Sequence, residues 1–236
     1  SLGAITVSAG HGERVLAVTS SHFATAEKEF RFPLAYGNQR PKSATWTVTG
    51  CGAAVIGKHG EKGIAQIAGI TTGQVVDAGV RDSMNMGAAM APAACDTILT
   101  NLRDFNRQSR DYDAIITGDQ LEGGWYDKII TGDLGKIGKQ ALADLLRNEG
   151  LEAEGFLMDC GVEIYDNQKQ DTHAGGSGCG CSALVLGALI LPNIQAGIWK
   201  RVLFVPTGAL LSTVSFNEGQ TIPGIAHGVI LERMGK

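Results

Sequence analysis

Two stretches of this chain follow one plan. Ala9-Gly10 stands ahead of Arg14-Val15-Leu16 as Ala196-Gly197 stands ahead of Arg201-Val202-Leu203, and further on Gly50 and Val55-Ile56 recur as Gly224 and Val229-Ile230. Each time the order reads helix, short turn, strand, loop, strand. A repeat of this length describes two fused half-domains rather than a solenoid of small stacked units. The second copy opens on a glycine-rich turn, residues 175–181 (GGSGCGC), which starts its helix. The first copy begins inside its helix at Ser1, so a piece of the first half is expected to precede it.

Composition narrows the function classes. The net charge of -4 and the lack of any Lys/Arg cluster give no reason to expect nucleic acid. The 33 glycines among 236 residues are about twice the usual ~7%, which points to tight turns and close backbone approach. Five cysteines, an odd number without small-secreted-domain spacing, read as reduced thiols of a cytosolic compartment. The longest apolar run, residues 183–191, is far short of the ~20 residues of a membrane span.

Along the chain, residues 1–9 read as a helix tail and 14–19 as a buried strand. Residues 46–57 read as a second strand and 63–76 as a third with a Thr-Thr-Gly turn inside it. Helices are predicted at 86–107, with Pro92 beginning or kinking it, and at 134–148, with Asp133 as its cap and Gly150 as its stop. Strands between helices make the chain α/β, with parallel strands dominant. Residues 112–119 (YDAIITGD) are nearly duplicated as 126–133 (YDKIITGD). The two copies compete for one slot in a sheet. The second is expected to hold it because it runs straight into the helix, leaving the first as a hairpin arm around Gly123-Gly124.

The repeat, the glycine-rich turn and the closing Ala226-His227-Gly228-Val229-Ile230 resemble the thiolase superfamily. Within it the chain resembles the stage V sporulation AD family of spore-forming Firmicutes, through Ala17-Val18-Thr19-Ser20-Ser21-His22, Met90-Ala91-Pro92-Ala93-Ala94, Asp159-Cys160-Gly161 and Thr207-Gly208-Ala209-Leu210-Leu211-Ser212. The resemblance spans essentially the whole chain and implies an α/β thiolase-like fold. Its duplicated half-domains would be layered α/β/α/β/α, the first (residues 1–80) truncated at its N-terminus and the second covering residues 81–236. Two departures stand out: the doubled YDxIITGD segment, and Pro192 inside what should be a continuous helix. In condensing members a nucleophilic cysteine opens the first-half helix, a position that here would precede Ser1. Their catalytic His and Asn fall on Gly132 and Gly176, so active acyl condensation is not expected.

The candidate ligand-binding residues are His22, Arg31, Asp133, Gly176, Ser177, Gly178, Cys179 and His227. A helix N-terminus offers free N–H groups to an anion, which suits the turn at 175–181. His22 follows the first strand, where α/β sites gather, and Arg31 lies with Arg40 in a long loop of aromatics. The Cys179–Cys181 pair could be an activated thiolate or half of a metal site, but packing is the commoner role of such small residues. Asp133 reads as a helix cap first and a site residue second. No cofactor or metal is expected, since Asp77, Asp82, Asp159 and Asp166 are too scattered for a calcium loop. The resemblance implies a non-catalytic protein that binds dipicolinic acid (pyridine-2,6-dicarboxylate), with calcium as a possible companion, for uptake into the forespore. It would act as a homodimer, cytoplasmic or peripheral at the forespore inner membrane, with the membrane proteins of the stage V sporulation A complex. The alternative is a thiolase-like or ketoacyl-synthase III-like acyltransferase acting on an acyl thioester.

Overall fold

A computed structural model describes residues 1–22, 41–58, 60, 62–107 and 126–235. The first half contributes α1 (Leu2–Ser8), β1 (Arg14–Ser21), β2 (Trp46–Thr47) and β3 (Gly50–Gly57), followed by β4 (Ala65–Thr71) and β5 (Val75–Val76). Then come α2 (Met86–Asp104), β6 (Lys128–Thr131), α3 (Gly135–Asn148), β7 (Leu157–Asp159) and the single turn α4 (Cys160–Glu163). The chain closes with β8 (Gly176–Ser177), α5 (Cys181–Val185), a π-helical turn (Leu186–Ile190), α6 (Leu191–Ala196), β9 (Arg201–Val205), β10 (Thr207–Ala209), α7 (Thr213–Asn217), β11 (Gly224–Ala226) and β12 (Gly228–Arg233).

The centre is a five-stranded sheet in the order β4-β12-β9-β6-β7. Its inner strands β9 and β6 carry apolar runs without alternation because both faces are covered there. Ile129, Leu203, Val205 and Ile230 pack on one side with Ile98 and Leu102 of α2 and Leu142 and Leu146 of α3. Ile130, Val202, Phe204, Val229 and Leu231 pack on the other with Val185, Ile190 and Ile194. Beyond that helix lies the antiparallel pair β1–β3, whose inward face meets α1 and α5. The described layers therefore run β/α/β/α. The outer helical layer expected over β1–β3 is not among the described residues.

Several expectations change. β1 is not buried: on its outward face Leu16 and Val18 are 64% and 62% exposed, beside Val55 of β3 at 68%. The strand expected at 46–57 is two strands, because β2 leaves its neighbour to pair with β8. Parallel pairing does not dominate, since β12 runs antiparallel to both β4 and β9 and β1–β3 is antiparallel as well. The boundary expected at residue 80 cuts too late for the sheets: β4 and β5 already hydrogen-bond to β12 and β11. Pro192 does not break its helix. It has no N–H to give the Ala188 carbonyl, and the turn ahead of it widens to π spacing while the path continues. The second YDxIITGD copy occupies the central slot as β6, as expected; the first copy and the Gly123-Gly124 arm lie outside the described residues.

The approach of β3 to α5 needs glycine. A Cβ on Gly52 would stand 2.5 Å from the Ala183 Cβ and 2.9 Å from its backbone. Gly52→Ala is therefore expected to cost about 2 kcal/mol in urea unfolding, as overpacking does. Gly155→Ala, where nothing lies within 4 Å, should change little and serves as control.

Candidate functional site

The C-terminal ends of β6, β7 and β9 converge on the glycine-rich turn, and two carboxylates hold them there. Asp159 ends β7 with no exposed surface. Its Oδ1 accepts from the Gly135 N–H at 2.9 Å and the Val162 N–H at 3.2 Å; its Oδ2 accepts from the Leu134 N–H at 2.9 Å and lies 2.7 Å from Thr131 Oγ1. One side chain thus caps α4 and α3 together. This corrects the expectation that Asp133 caps the helix after it, and α3 itself begins at Gly135 rather than Leu134.

Burial pushes the Asp159 carboxyl up, to about 7, against the pull of the Thr131 hydroxyl and the two N–H groups of the α3 start. The local geometry gives that proton a place. Thr131 Oγ1 also lies 3.1 Å from the Met158 carbonyl, so its single hydrogen can go there while Thr131 accepts from a protonated Asp159.

Asp133 reaches the turn instead. Its Oδ2 accepts from the Gly178 N–H at 3.0 Å, and its Oδ1 accepts from the Thr207 hydroxyl at 3.0 Å. From the first half, Ser21 Oγ donates to the Val48 carbonyl at 2.6 Å and accepts the Gly180 N–H at 2.9 Å. Thr19 Oγ1 donates to the Cys179 carbonyl at 2.6 Å. Beside them β2 pairs with β8 in parallel, Trp46 opposite Gly176 and Thr47 opposite Ser177. The turn is therefore a seam stitched from both halves, and its Gly178 and Gly180 N–H groups already have acceptors inside the protein.

The sequence candidates separate accordingly. Asp133, Gly176, Ser177, Gly178 and Cys179 do come together at this seam. Gly176 and Ser177 are buried in the β2–β8 pair, whereas Cys179 is exposed at the turn. His22 is exposed just past β1; its neighbour Ser21 makes the contact to the turn. His227 accepts the Gly73 N–H at Nδ1 (3.1 Å), and its backbone N–H donates to Pro206, next to Thr207. Burial, then the positive N-terminus, hold its pKa below the usual histidine value. Arg31 and Arg40 lie outside the described residues. The activated thiolate is not supported at Cys181: burial, then Asp133 and Asp159, push that thiol well above its usual range, and Cys160 likewise. Among the described residues no group of three or more His, Cys, Asp or Glu could hold a metal ion.

Gly132 and Gly176 leave no room for side chains. A Cβ on Gly132 would meet the Thr207 nitrogen at 2.8 Å, and one on Gly176 would meet Ile164 Cγ2 at 2.5 Å and Val48 Cγ2 at 2.9 Å. Ser21, Thr131 and Thr207 were not singled out in the sequence, because single hydroxyls in β-branched or small-residue runs carry no spacing signal.

The profile of the stage V sporulation protein AD family matches residues 1–125 and 120–232. The chain belongs to this family. It is 45% identical over 229 residues to the stage V sporulation protein AD of Bacillus subtilis (strain 168), covering 97% of this chain and 63% of that protein. It thus spans less than two thirds of that relative's length. The fold matches AbyA1, a tetronic acid condensing enzyme, with a TM-score of 0.55, 15% identity, and coverage of 97% of this chain and 62% of that one. It also matches 3-oxoacyl-[acyl-carrier-protein] synthase III from Aquifex aeolicus VF5, with a TM-score of 0.50, 11% identity, and coverage of 98% and 61%. At these identities the likeness establishes the thiolase-like fold alone. The two stretches of the family match overlap between the two YDxIITGD copies, so each copy is matched in its turn.

Asp159 generates a pH prediction. Its pKa rises from 3.8 in the unfolded chain to about 7 in the fold, so between these values the folded state holds a proton that the unfolded state has lost. Its contribution to stability is full below pH ~4 and falls as the pH rises toward 7. Asp159→Asn should flatten that part of the stability–pH curve in urea titrations. Asp159→Ala, which strands several buried donors, should cost about 3 kcal/mol near pH 4 and progressively less as the pH rises toward 7.

Proposed function

We propose that this sporulation-family protein is a non-catalytic thiolase-fold binding protein that takes up dipicolinic acid at the seam beside Asp133, Cys179 and His227. The observation that carries this reading is the packing at Gly132 and Gly176. The positions that resemble the condensing enzymes' His and Asn are not merely substituted; the Thr207 backbone closes over Gly132, and the Ile164 and Val48 side chains close over Gly176. What the seam keeps is a turn between two half-domains, an exposed Cys179 and a half-buried histidine.

The electrostatics add a requirement. Asp133, partly exposed beside the turn, already takes the Gly178 N–H, and its charge opposes a free dianion there. Dipicolinate therefore binds as its calcium complex. A hard cation with six to eight oxygen ligands keeps positions open beyond the chelator, and a carboxylate at the turn is a ligand of the kind it takes. The partners in this reading are the membrane proteins of the stage V sporulation A complex, with the protein peripheral to the forespore membrane. No helix among the described residues is long and apolar enough to cross a membrane. The exposed face of Leu16, Val18 and Val55, next to the edge of β3 that no described strand pairs with, belongs to the homodimer of the same proposal.

Calorimetric titration of dipicolinate with and without equimolar calcium tests it. Saturable heat is expected with calcium, weakened at least about tenfold without it. Cys179→Trp, at an exposed position, should abolish the heat while the melting temperature is kept. Gly176→Trp would be uninformative, because even its Cβ collides with Ile164. No heat under either condition from a folded protein would refute the proposal.

A further inference from the structure

The socket that holds β6 recognises a sequence that the chain carries twice. The Tyr126 hydroxyl donates to Asn101 Oδ1, and Asn101 Nδ2 donates to Thr71 Oγ1 at 2.7 Å. The Arg107 guanidinium lies 4.4 Å above the Tyr126 ring. Asp127 accepts the Arg201 N–H at 2.8 Å and the Lys200 N–H beside it. Ile129 and Ile130 are wholly buried on opposite faces of the sheet. Thr131 meets Asp159, Gly132 fits against Thr207, and Asp133 takes Gly178.

Each of these residues has an identical counterpart fourteen residues earlier: Tyr112, Asp113, Ile115, Ile116, Thr117, Gly118 and Asp119. The single difference is Lys128 against Ala114, and it falls at a partly exposed position. There Lys128 makes one solvent-side bond, to the Gly155 carbonyl at 3.3 Å. Among the described residues, none of the contacts named above discriminates between the copies.

We propose that the β6 slot accepts either copy, so that the chain has two registers. In the described register the extra fourteen residues precede the strand, between α2 and β6. In the other they follow it, between the strand and α3, and so leave the sheet at its seam end. Both registers close one connector of the same extra length, so chain entropy does not strongly separate them. Strand register is specified by which side chains a face must bury, and here both copies bury the same set. The two-stretch family match, each stretch containing one copy, is what a doubled strand of this kind produces.

Aspartate at a fully buried isoleucine disables whichever copy carries it, because an unpaired buried charge is not tolerated in a strand covered on both faces. In the full chain, Ile130→Asp alone and Ile116→Asp alone should each remain folded by circular dichroism and thermal melting. The double variant Ile116→Asp/Ile130→Asp should not fold. Deletion of residues 112–125 leaves one copy; this shortened chain should fold, and Ile130→Asp within it should unfold it. Unfolding of the full chain by Ile130→Asp alone, as complete as in the double variant, would overturn the proposal. So would a double variant that stays folded, since the slot would then not require an isoleucine at all.

Discussion

One buried carboxylate ties the second half together. Asp159 sits where β7 ends and gathers the first N–H groups of α3, the start of α4 and the hydroxyl of the neighbouring strand β6. Helix N-termini at the end of a parallel pair would otherwise leave donors stranded in a region without water, each costing about 1–3 kcal/mol. A carboxyl group is well matched to this place, because its two oxygens present about four lone-pair positions. The cost is a strained protonation equilibrium: burial opposes the charge that the donors favour, and Asp133 nearby adds to the opposition. The Thr131 hydroxyl, poised between Asp159 and the Met158 carbonyl, lets either protonation state be hydrogen-bonded.

Above that anchor the seam between the half-domains is built from short polar links. Ser21 and Thr19 of β1 reach Gly180 and Cys179, β2 pairs with β8, and Asp133 with Thr207 holds Gly178. Thr207 fixes the Asp133 rotamer by donating to one of its oxygens while its own hydroxyl accepts the Asp133 N–H at 3.3 Å. The same turn that resembles an anion site in the sequence is thus partly self-satisfied. This shifts the chemistry that it suits from a bare anion toward an anion carried with its cation.

Much of this was legible in the sequence and part was not, for identifiable reasons. The internal repeat located α1, β1, β9 and β12, because burial on two faces forces runs such as residues 202–205 to be apolar throughout. The glycine-rich turn announced itself because close packing admits no side chain there. β1 misled, since its run of Val15, Leu16 and Val18 reads as buried whether or not anything covers the outward face. The split of β2 from β3 was invisible because its cause, pairing with β8, is a contact across 130 residues of sequence. Asp133 looked like a helix cap by position alone. Only the three-dimensional path shows that Asp159, from another strand, takes that role and frees Asp133 for the turn. Lone hydroxyls such as Ser21 and Thr207 gave no warning at all.

The seam's N–H groups are satisfied from within by Asp133, Ser21 and Asp159. Amide hydrogen exchange resolved by residue measures this directly in the unliganded protein. The Gly178, Gly180, Leu134 and Gly135 amides should exchange as slowly as those of Ile129 and Leu203 in the central sheet, opening only with the whole domain. Exchange of Gly178 and Gly180 within minutes, like that of an open loop, would contradict it.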